Sequence, residues 1–253
     1  MNSVPLMLSE FIVVLGMLWL ADRWLHRNLQ IVTFLLANDR EVALWLYAIL
    51  LLPGVILHEV SHAFAAAILG VNIGGIHVLP RRVGKDIILG YVPVEQTDFV
   101  RASMIGAAPF FCGGAVIVII GYLVFGTADV VASLAAGDWM AALNGLAVVF
   151  KAPDAWIWAY LIFAIGNTML PSKSDTHAWP TLGIVVGLLV MVLLVINGGP
   201  EFLNEAGQLL AMPLRWIVLL GGSTLLVDLP FFAIIFVALR FLEFVRGVRL
   251  EYH

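Results

Sequence analysis

The sequence predicts an all-α polytopic membrane protein with about six transmembrane helices and a small strand-rich loop after the second helix. Hydrophobic residues make up 62% of the 253 residues and charged residues only 12%, whereas soluble domains carry about 25% charged residues. The mean hydropathy is +1.03. About six stretches approach the roughly 20 apolar residues that a helix needs to cross a bilayer. Together these values exclude a disordered chain and argue against a soluble globular protein.

The apolar stretches define the predicted helices in chain order. They lie at residues 4–21, 42–69, 102–125, 156–170, 181–196 and 216–244. The first has no basic flank before it and no cleavage site after it, so we expect an uncleaved helix rather than a signal peptide. The fourth is short, which predicts that one of its ends lies inside the protein rather than at a lipid interface.

Two further segments are too polar to span a membrane. Residues 71–100 contain β-rich runs at 76–79 and 87–94 with glycines between them, which predicts short strands. Residues 129–154 mix apolar residues with acids and are typical of an interfacial helix or loop. We therefore predict one membrane domain over residues 1–253, with a core at about 42–180 and flanking helices at 1–41 and 181–253.

Charge and cysteine content limit the classes of partner. The chain has 13 Lys and Arg against 17 Asp and Glu, a formal net charge of −4. It has no basic surplus for nucleic acid, so we expect the lipid bilayer and other membrane proteins as partners. The single cysteine, Cys112, excludes an intramolecular disulfide and a Cys-rich metal site.

Basic residues between the apolar stretches predict an orientation. With six spans and a cytoplasmic N-terminus, the cytoplasmic side carries the larger share, as the positive-inside rule requires. This side would carry Arg81, Arg82, Lys85, Arg101, Lys173, Arg240, Arg246 and Arg249, and the outside Arg23, Arg27, Arg40, Lys151 and Arg215. No organelle-targeting signal is present, so we expect a multi-pass protein of a prokaryotic plasma membrane.

The second predicted helix contains the pattern H-E-x-x-H. His58 and His62 are four residues apart, so both imidazoles project from one helix face, as two ligands of a tetrahedral zinc ion must. Glu59 lies about 100° round the helix from His58, where it can act as general base on a zinc-activated water. A Glu and two His in an apolar helix are costly unless paired or metal-bound, which predicts a functional metal site.

A catalytic zinc site takes a third protein ligand. Asp175 is favoured because it follows the short fourth helix in a segment that Pro171 interrupts, and irregular backbone at membrane depth lines a cavity or is buried in protein. Asp228, in the middle of the last apolar stretch, is the alternative third ligand, or an acid that holds helices together. His177 is a weaker option, and Asp86 is expected to be a solvated turn residue.

These residues resemble the site-2 protease family of intramembrane zinc metalloproteases. In that family the third ligand is the Asp of an Asn-Pro-x-Pro…Leu-Asp-Gly motif, eight residues after the Asn, and Asn167 and Asp175 are also eight residues apart. The segment Gly106-Ala107-Ala108-Pro109 is similar to the Gly-Pro-rich start of the family's helix after the strand loop. The resemblance covers residues 50–180, about half of the chain. It departs from the motif at Ser174 and Thr176, which stand in place of Leu and Gly.

The resemblance implies hydrolysis of peptide bonds in membrane-embedded protein substrates. It implies Zn²⁺ held by His58, His62 and Asp175, with Glu59 as general base. It further implies that Asn167 hydrogen-bonds the substrate backbone or the oxyanion. One of the strand runs is expected to pair with the extended substrate as an added strand.

Two other functions remain open from the sequence. The departures at Ser174 and Thr176 allow a non-catalytic scaffold or accessory subunit of a membrane complex, although such a chain has no need of Glu59. The second alternative is a transporter with a proton relay through the H-E-x-x-H residues and Asp228. The internal repeats typical of transporters are not apparent in the sequence.

Overall fold

The protein is mostly α-helical, with one small antiparallel sheet, in a computed structural model that describes residues 4–84, 86–135, 138, 140–141, 144–145, 154–197 and 200–247. The elements are, in chain order, α1 (Val4–Ala37), α2 (Arg40–Ile68), β1 (Arg81–Val83), β2 (Asp86–Ile88), α3 (Phe99–Leu123), α4 (Ala128–Ala135), α5 (Ala155–Gly166), α6 (Trp179–Asn197) and α7 (Pro200–Arg246).

Three helices of the described residues are long and apolar enough to cross a membrane. They are α2, α3 and the part of α7 from Leu214 to Arg246, and they coincide with the second, third and sixth predicted helices. The apolar helices Ala155–Gly166 and Trp179–Leu193 are shorter, and α1 is not among the three. The structure is thus consistent with a membrane protein, and the prediction of six spans is supported for three of them.

Aspartates begin both α2 and α3. The carboxylates of Asp39 and Asp98 each accept hydrogen bonds from the backbone amides two and three residues further on, at 2.8–3.0 Å. These amides have no partner inside the helix, so the capping carboxylate stabilises the first turn. The bond from the Arg101 amide, more than that from the Val100 amide, holds the pKa of the Asp98 carboxyl below its usual value. Asn38, in the left-handed conformation at φ 54°, reverses the chain between α1 and α2.

The loop after α2 forms a hairpin, as expected for residues 71–100. Its two arms are joined by the antiparallel pairs Arg81–Ile88, Arg82–Ile87, Val83–Asp86, His77–Tyr91 and Ile73–Val94. The paired strands differ from the predicted runs, because residues 76–79 contribute only a single bridge at His77. Pro80 follows that run and has no amide hydrogen with which to continue a ladder.

The hairpin folds back along α2 toward the start of that helix. Gly90, in the second arm, lies against Val55 and Glu59 in the middle of α2. Arg82, near the tip, shares a cavity with Arg40 at the beginning of α2. The hairpin therefore leaves the C-terminal end of α2 and reaches its N-terminal end.

This path corrects the predicted distribution of basic residues. Arg23, Arg27, Arg40, Arg82 and Arg246 line one cavity, so the first three do not lie on the opposite side of a membrane from the last two. The prediction assigned successive loops to alternate sides of the membrane. That assignment is wrong for Arg82, because the hairpin that carries it returns along α2.

Helices α1, α2 and α7 meet in the main core, where Leu25, Leu51 and Leu239 are fully or almost fully buried. Helix α5 crosses α2 at Gly54, where a Cβ atom would overlap the carbonyl of Ala164. Only glycine permits so close an approach. This crossing places the buried C-terminal end of α5 beside the H-E-x-x-H turn, in agreement with the prediction that this short helix ends inside the protein.

Residues 129–154, predicted to form an interfacial helix or loop, contain most of α4. Residues 136–137, 139, 142–143 and 146–153 of that segment lie outside the described residues.

Candidate metal centre

Two imidazoles and one carboxylate converge at the end of α5. The Nε2 atoms of His58 and His62 lie 3.0 Å apart. The carboxylate of Asp175 reaches both, with Oδ1 3.2 Å from His62 Nε2 and Oδ2 3.6 Å from His58 Nε2. The three side chains each offer one ligand atom, and these atoms lie within 4.8 Å of one another, so the group could hold a metal ion. The structure thereby brings Asp175 to the two histidines predicted from the H-E-x-x-H pattern.

The other ring nitrogen of each histidine is held by a backbone carbonyl. His58 Nδ1 lies 2.7 Å from the carbonyl oxygen of Thr168, and His62 Nδ1 lies 2.9 Å from that of Ile105. A carbonyl only accepts hydrogen bonds, so both Nδ1 atoms carry a proton and donate it. In the neutral rings, both lone pairs are therefore on Nε2. Metal-binding histidines are oriented in the same way by hydrogen bonds from their second nitrogen.

The Nε2 lone pairs and the Asp175 oxygens all face one point. Electron pairs of two imidazoles at 3.0 Å, beside an anionic carboxylate, repel one another unless a positive charge lies between them. A proton relieves one contact only, whereas a cation accepts all three ligands. The donor set of two neutral imidazoles and one carboxylate is one that divalent transition metals and zinc bind.

Asp175 is held in place by the turn that follows α5. The backbone amide of Ser172 donates to Asp175 Oδ2 at 2.7 Å, and the backbone carbonyl of Asp175 lies tightly against Gly106 of α3. Burial alone would raise the pKa of the Asp175 carboxyl, but its close contacts with His58 and His62 and its hydrogen bonding with Ser172 outweigh burial and hold that pKa well below its usual range. Asp175 is therefore present as an anion.

Glu59 lies next to the two histidines on α2 and is buried, with 5% of its surface exposed. Its Oε2 atom is buried and has no hydrogen-bond partner among the described residues. Such an orphaned buried acceptor is rare in proteins and costs roughly 1–3 kcal/mol. The hairpin lies directly over this side chain, because a Cβ at Gly90 would be 2.8 Å from both Cγ and Oε1 of Glu59.

A cavity of about 1340 Å³ opens onto these residues. His58, Glu59, His62 and Asp175 form part of its wall, and residues 87–92 of the hairpin form another part. Its size exceeds that of typical small-molecule pockets, which run to about 1,000 Å³. The cavity therefore offers room for an extended chain beside the metal ligands.

The alternative third ligand does not join the group. Asp228 of α7 accepts a hydrogen bond from the side-chain amide of Asn167 at 2.8 Å and is 1% exposed. The same amide nitrogen donates to the carbonyl of Phe163 at 2.9 Å. Asp228 therefore ties α7 to the end of α5, which was the other interpretation of this residue from the sequence. Asp228 is not part of the group of His58, His62 and Asp175, and the alternative of a proton relay through Asp228 stays a prediction.

Three other residues were candidates from the sequence: Asn167, His177 and Asp86. The first two line the cavity, and the side chain of the third is not described. Both hydrogens of the Asn167 amide are engaged, so a contact with a substrate oxyanion requires one of these bonds to be exchanged. His177 lies on the cavity wall, with its Nδ1 2.6 Å from the carbonyl of Ser174, and is not part of the metal group. The side chain of Asp86 is not among those described.

The sequence did not predict that His26 of α1 belongs to the site. His26 of α1 lies on the same cavity wall, with Nδ1 2.6 Å from the hydroxyl of Tyr47 and Nε2 3.1 Å from the carbonyl of Asn167. The carbonyl of the next residue, Thr168, holds His58. A polar triplet was the available signal, since Asp22, His26 and Gln30 recur every four residues along one face of α1.

No protein-family model, curated protein or solved structure matches the chain. The likeness to site-2 proteases consequently rests on the motif residues, and the geometry of the metal group stands beside it as a separate observation.

Proposed function

We propose that the protein is an intramembrane zinc metalloprotease that hydrolyses peptide bonds of membrane-embedded substrates. The observation that carries the proposal is the convergence of His58, His62 and Asp175, with both Nδ1 atoms held by carbonyls and both Nε2 atoms left for a metal. The motif resemblance to site-2 proteases supports the same function.

The spacing of the three ligands suits zinc. Tetrahedral zinc has bonds of about 2.0–2.1 Å to nitrogen and oxygen, so its ligand atoms lie roughly 3.3 Å apart. The two Nε2 atoms lie 3.0 Å apart, and Asp175 approaches them through different oxygens, with Oδ1 3.2 Å from His62 and Oδ2 3.6 Å from His58. With one ligand atom from each residue, the three atoms lie within 4.8 Å of one another, so small shifts bring them to zinc distances. Zinc in this site would supply Lewis-acid activation of the scissile carbonyl and of the attacking water.

Glu59 is the residue proposed to move protons. It takes a proton from the attacking water and donates it to the leaving amine, as general base and then general acid. Burial and the lack of a partner for Oε2 among the described residues keep this carboxylate free for that exchange. Asp175, His58 and His62 are engaged with one another and are not candidates for this role.

The hairpin is the proposed binding surface for the unwound substrate. Peptide bonds inside a helix are shielded, so a substrate must become extended before cleavage. The second arm of the hairpin, residues 86–94, pairs with the first arm along one edge and contributes residues 87–92 to the cavity wall. An extended substrate added to its other edge would lie along the cavity that contains Glu59.

Metal content tests the site before any substrate is known. Elemental analysis of the detergent-purified chain should give about one zinc per chain, and Asp175→Ala should lose it because two imidazoles alone bind weakly. Asp228→Asn is the matched control: it changes a buried carboxyl group outside the metal group and should retain zinc. Zinc lost from Asp228→Asn and kept in Asp175→Ala would reassign the third ligand.

Cleavage tests the activity itself. The purified chain is reconstituted in vesicles with a panel of single-span helices that carry a Gly-Pro pair at mid-span, and products are identified by mass spectrometry. Glu59→Gln should keep its zinc and lose cleavage by at least about 100-fold, the low end of the range for a general base. An active Glu59→Gln variant would rule out this mechanism. A wild-type chain without zinc would favour the scaffold function.

A further inference from the structure

A second cavity lies at the end of the molecule where α1 ends and α2 begins. It measures about 960 Å³. Five arginines from four elements converge on it, namely Arg23 and Arg27 of α1, Arg40 of α2, Arg82 of β1 and Arg246 of α7. The chain has 13 Lys and Arg and a net charge of −4, so this concentration is not the result of a generally basic surface. The metal group, His58, His62 and Asp175, belongs to the first cavity and not to this one.

The described residues that line this cavity include no Asp or Glu. Two of the arginines are held by uncharged partners: Arg246 donates to the side-chain oxygen of Asn38 at 2.9 Å, and Arg23 stacks 4.6 Å from the ring of Trp19. Neutral partners fix the position of a guanidinium without cancelling its charge, so the cavity attracts an anion.

We propose that this cavity binds the phosphate of an anionic membrane lipid. Guanidinium groups bind phosphate oxygens through paired hydrogen bonds, and basic pockets between membrane helices are sites for anionic headgroups. The position favours a lipid over a soluble phosphate, because α2 and α7 are apolar enough to span and both reach the cavity with a terminus. Apolar side chains also line the cavity, including Ile31, Leu44 and Phe34, of which Phe34 is 44% exposed.

Titration of the full-length chain with lipid tests the proposal. The chain in a neutral detergent is titrated with phosphatidylglycerol, and bound lipid is counted by native mass spectrometry. Parallel titrations use zwitterionic phosphatidylcholine and free glycerol phosphate. We expect phosphatidylglycerol to bind wild type well above phosphatidylcholine, and glycerol phosphate to bind poorly because it lacks acyl chains.

Matched charge variants locate the site. The double variant Arg40→Gln with Arg82→Gln removes two cavity arginines and should weaken phosphatidylglycerol binding roughly thirtyfold. The control, Arg81→Gln with Arg215→Gln, removes the same charge outside the cavity and should change binding less than about threefold. Arg81 adjoins Arg82 in β1 but stacks 3.9 Å from the ring of Tyr91. If the cavity double variant fails to fold, Arg82→Gln alone, at the exposed hairpin tip, should weaken binding roughly fivefold.

Three results would overturn the proposal. Equal loss in the cavity and control variants would mean that overall charge, and not this cavity, retains the lipid. Binding of phosphatidylcholine as tight as that of phosphatidylglycerol would mean that no anion site is involved. Binding of glycerol phosphate as tight as that of the lipid would assign the cavity to a soluble phosphate compound. None of these measurements depends on proteolysis.

Discussion

Gly90 allows the hairpin to lie directly on Glu59. A Cβ there would be 2.8 Å from two atoms of Glu59 and 2.9 Å from Cγ1 of Val55, closer than packed atoms tolerate. The hairpin thereby covers one side of the proposed active site at Glu59, the proposed general base.

Gly90→Ala should therefore impair cleavage and spare the metal. The added methyl must displace either the hairpin or the Glu59 carboxylate, and a shift of about 1 Å can reduce an enzymatic rate up to roughly 100-fold. Zinc content should remain at the wild-type level, because the atoms nearest to the added methyl belong to Glu59 and Val55 and not to His58, His62 or Asp175. Gly74→Ala is the control: it is in the same loop, the atoms nearest to its Cβ would belong to Pro93, the closest at 3.2 Å, and its rate should stay near that of wild type. A wild-type rate in Gly90→Ala would show that the hairpin does not position Glu59.

At the scale of elements, the crossing of α2 and α5 determines the site. Gly54 brings α5 so close that the carbonyl of Thr168, just beyond the end of α5, reaches His58. The ends of α5 and α7 are also joined there, by the hydrogen bond from Asn167 to Asp228. A helix shift at this crossing would move a ligand-holding carbonyl without changing any ligand.

Gly54→Ala is expected to destabilise the protein by about 1–3 kcal/mol, the usual cost of overpacking a core. The new methyl would overlap the side-chain oxygen of Thr168 and the carbonyl of Ala164, so α5 must move away from α2. Thermal unfolding in detergent should show a lower Tm, and zinc affinity should fall with it because Thr168 orients His58. Gly222→Ala in α7 is the control, since a Cβ there meets nothing within 4 Å and removes the entropic cost of a helical glycine. A Tm no lower in Gly54→Ala than in Gly222→Ala would contradict this packing.

At the scale of the whole molecule, the hairpin runs from the C-terminal end of α2 back to its N-terminal end. Helix α2 has 29 residues, a length of about 43 Å, and the hairpin starts at one end and reaches the other. Five arginines meet where its tip arrives, and the metal group lies between, near the end of α5.

Cysteine labelling from the two sides of a vesicle tests this arrangement. Cys112 is the only cysteine, so Cys112→Ala provides a background free of thiols. Asn38→Cys and Arg82→Cys should react with an impermeant maleimide from the same side, since both positions line the arginine cavity. Asn72→Cys, four residues beyond the end of α2, should react from the opposite side. If Arg82→Cys is instead labelled from the same side as Asn72→Cys, the hairpin does not return along α2.

The sequence alone predicted a membrane protein, the approximate bounds of α2 and α3, and His58, His62 and Asp175 as candidate metal ligands. These follow from local patterns, because hydropathy is a property of short stretches and the i,i+4 spacing fixes a helix face. The strand-rich loop was also visible, since its glycines and β-branched residues are local signals, although Pro80 shortened the strands.

Only the tertiary structure shows that Asp175, and not Asp228, belongs to the group with the two histidines, because this depends on which acid the α2–α5 crossing brings to them. It also revealed the carbonyls of Thr168 and Ile105 as the groups that orient the two imidazoles. Backbone carbonyls are the same in every residue, so no pattern of side chains marks them. The arginine cavity was hidden for a related reason: its members lie up to 223 residues apart, and only the return of the hairpin along α2 brings them together.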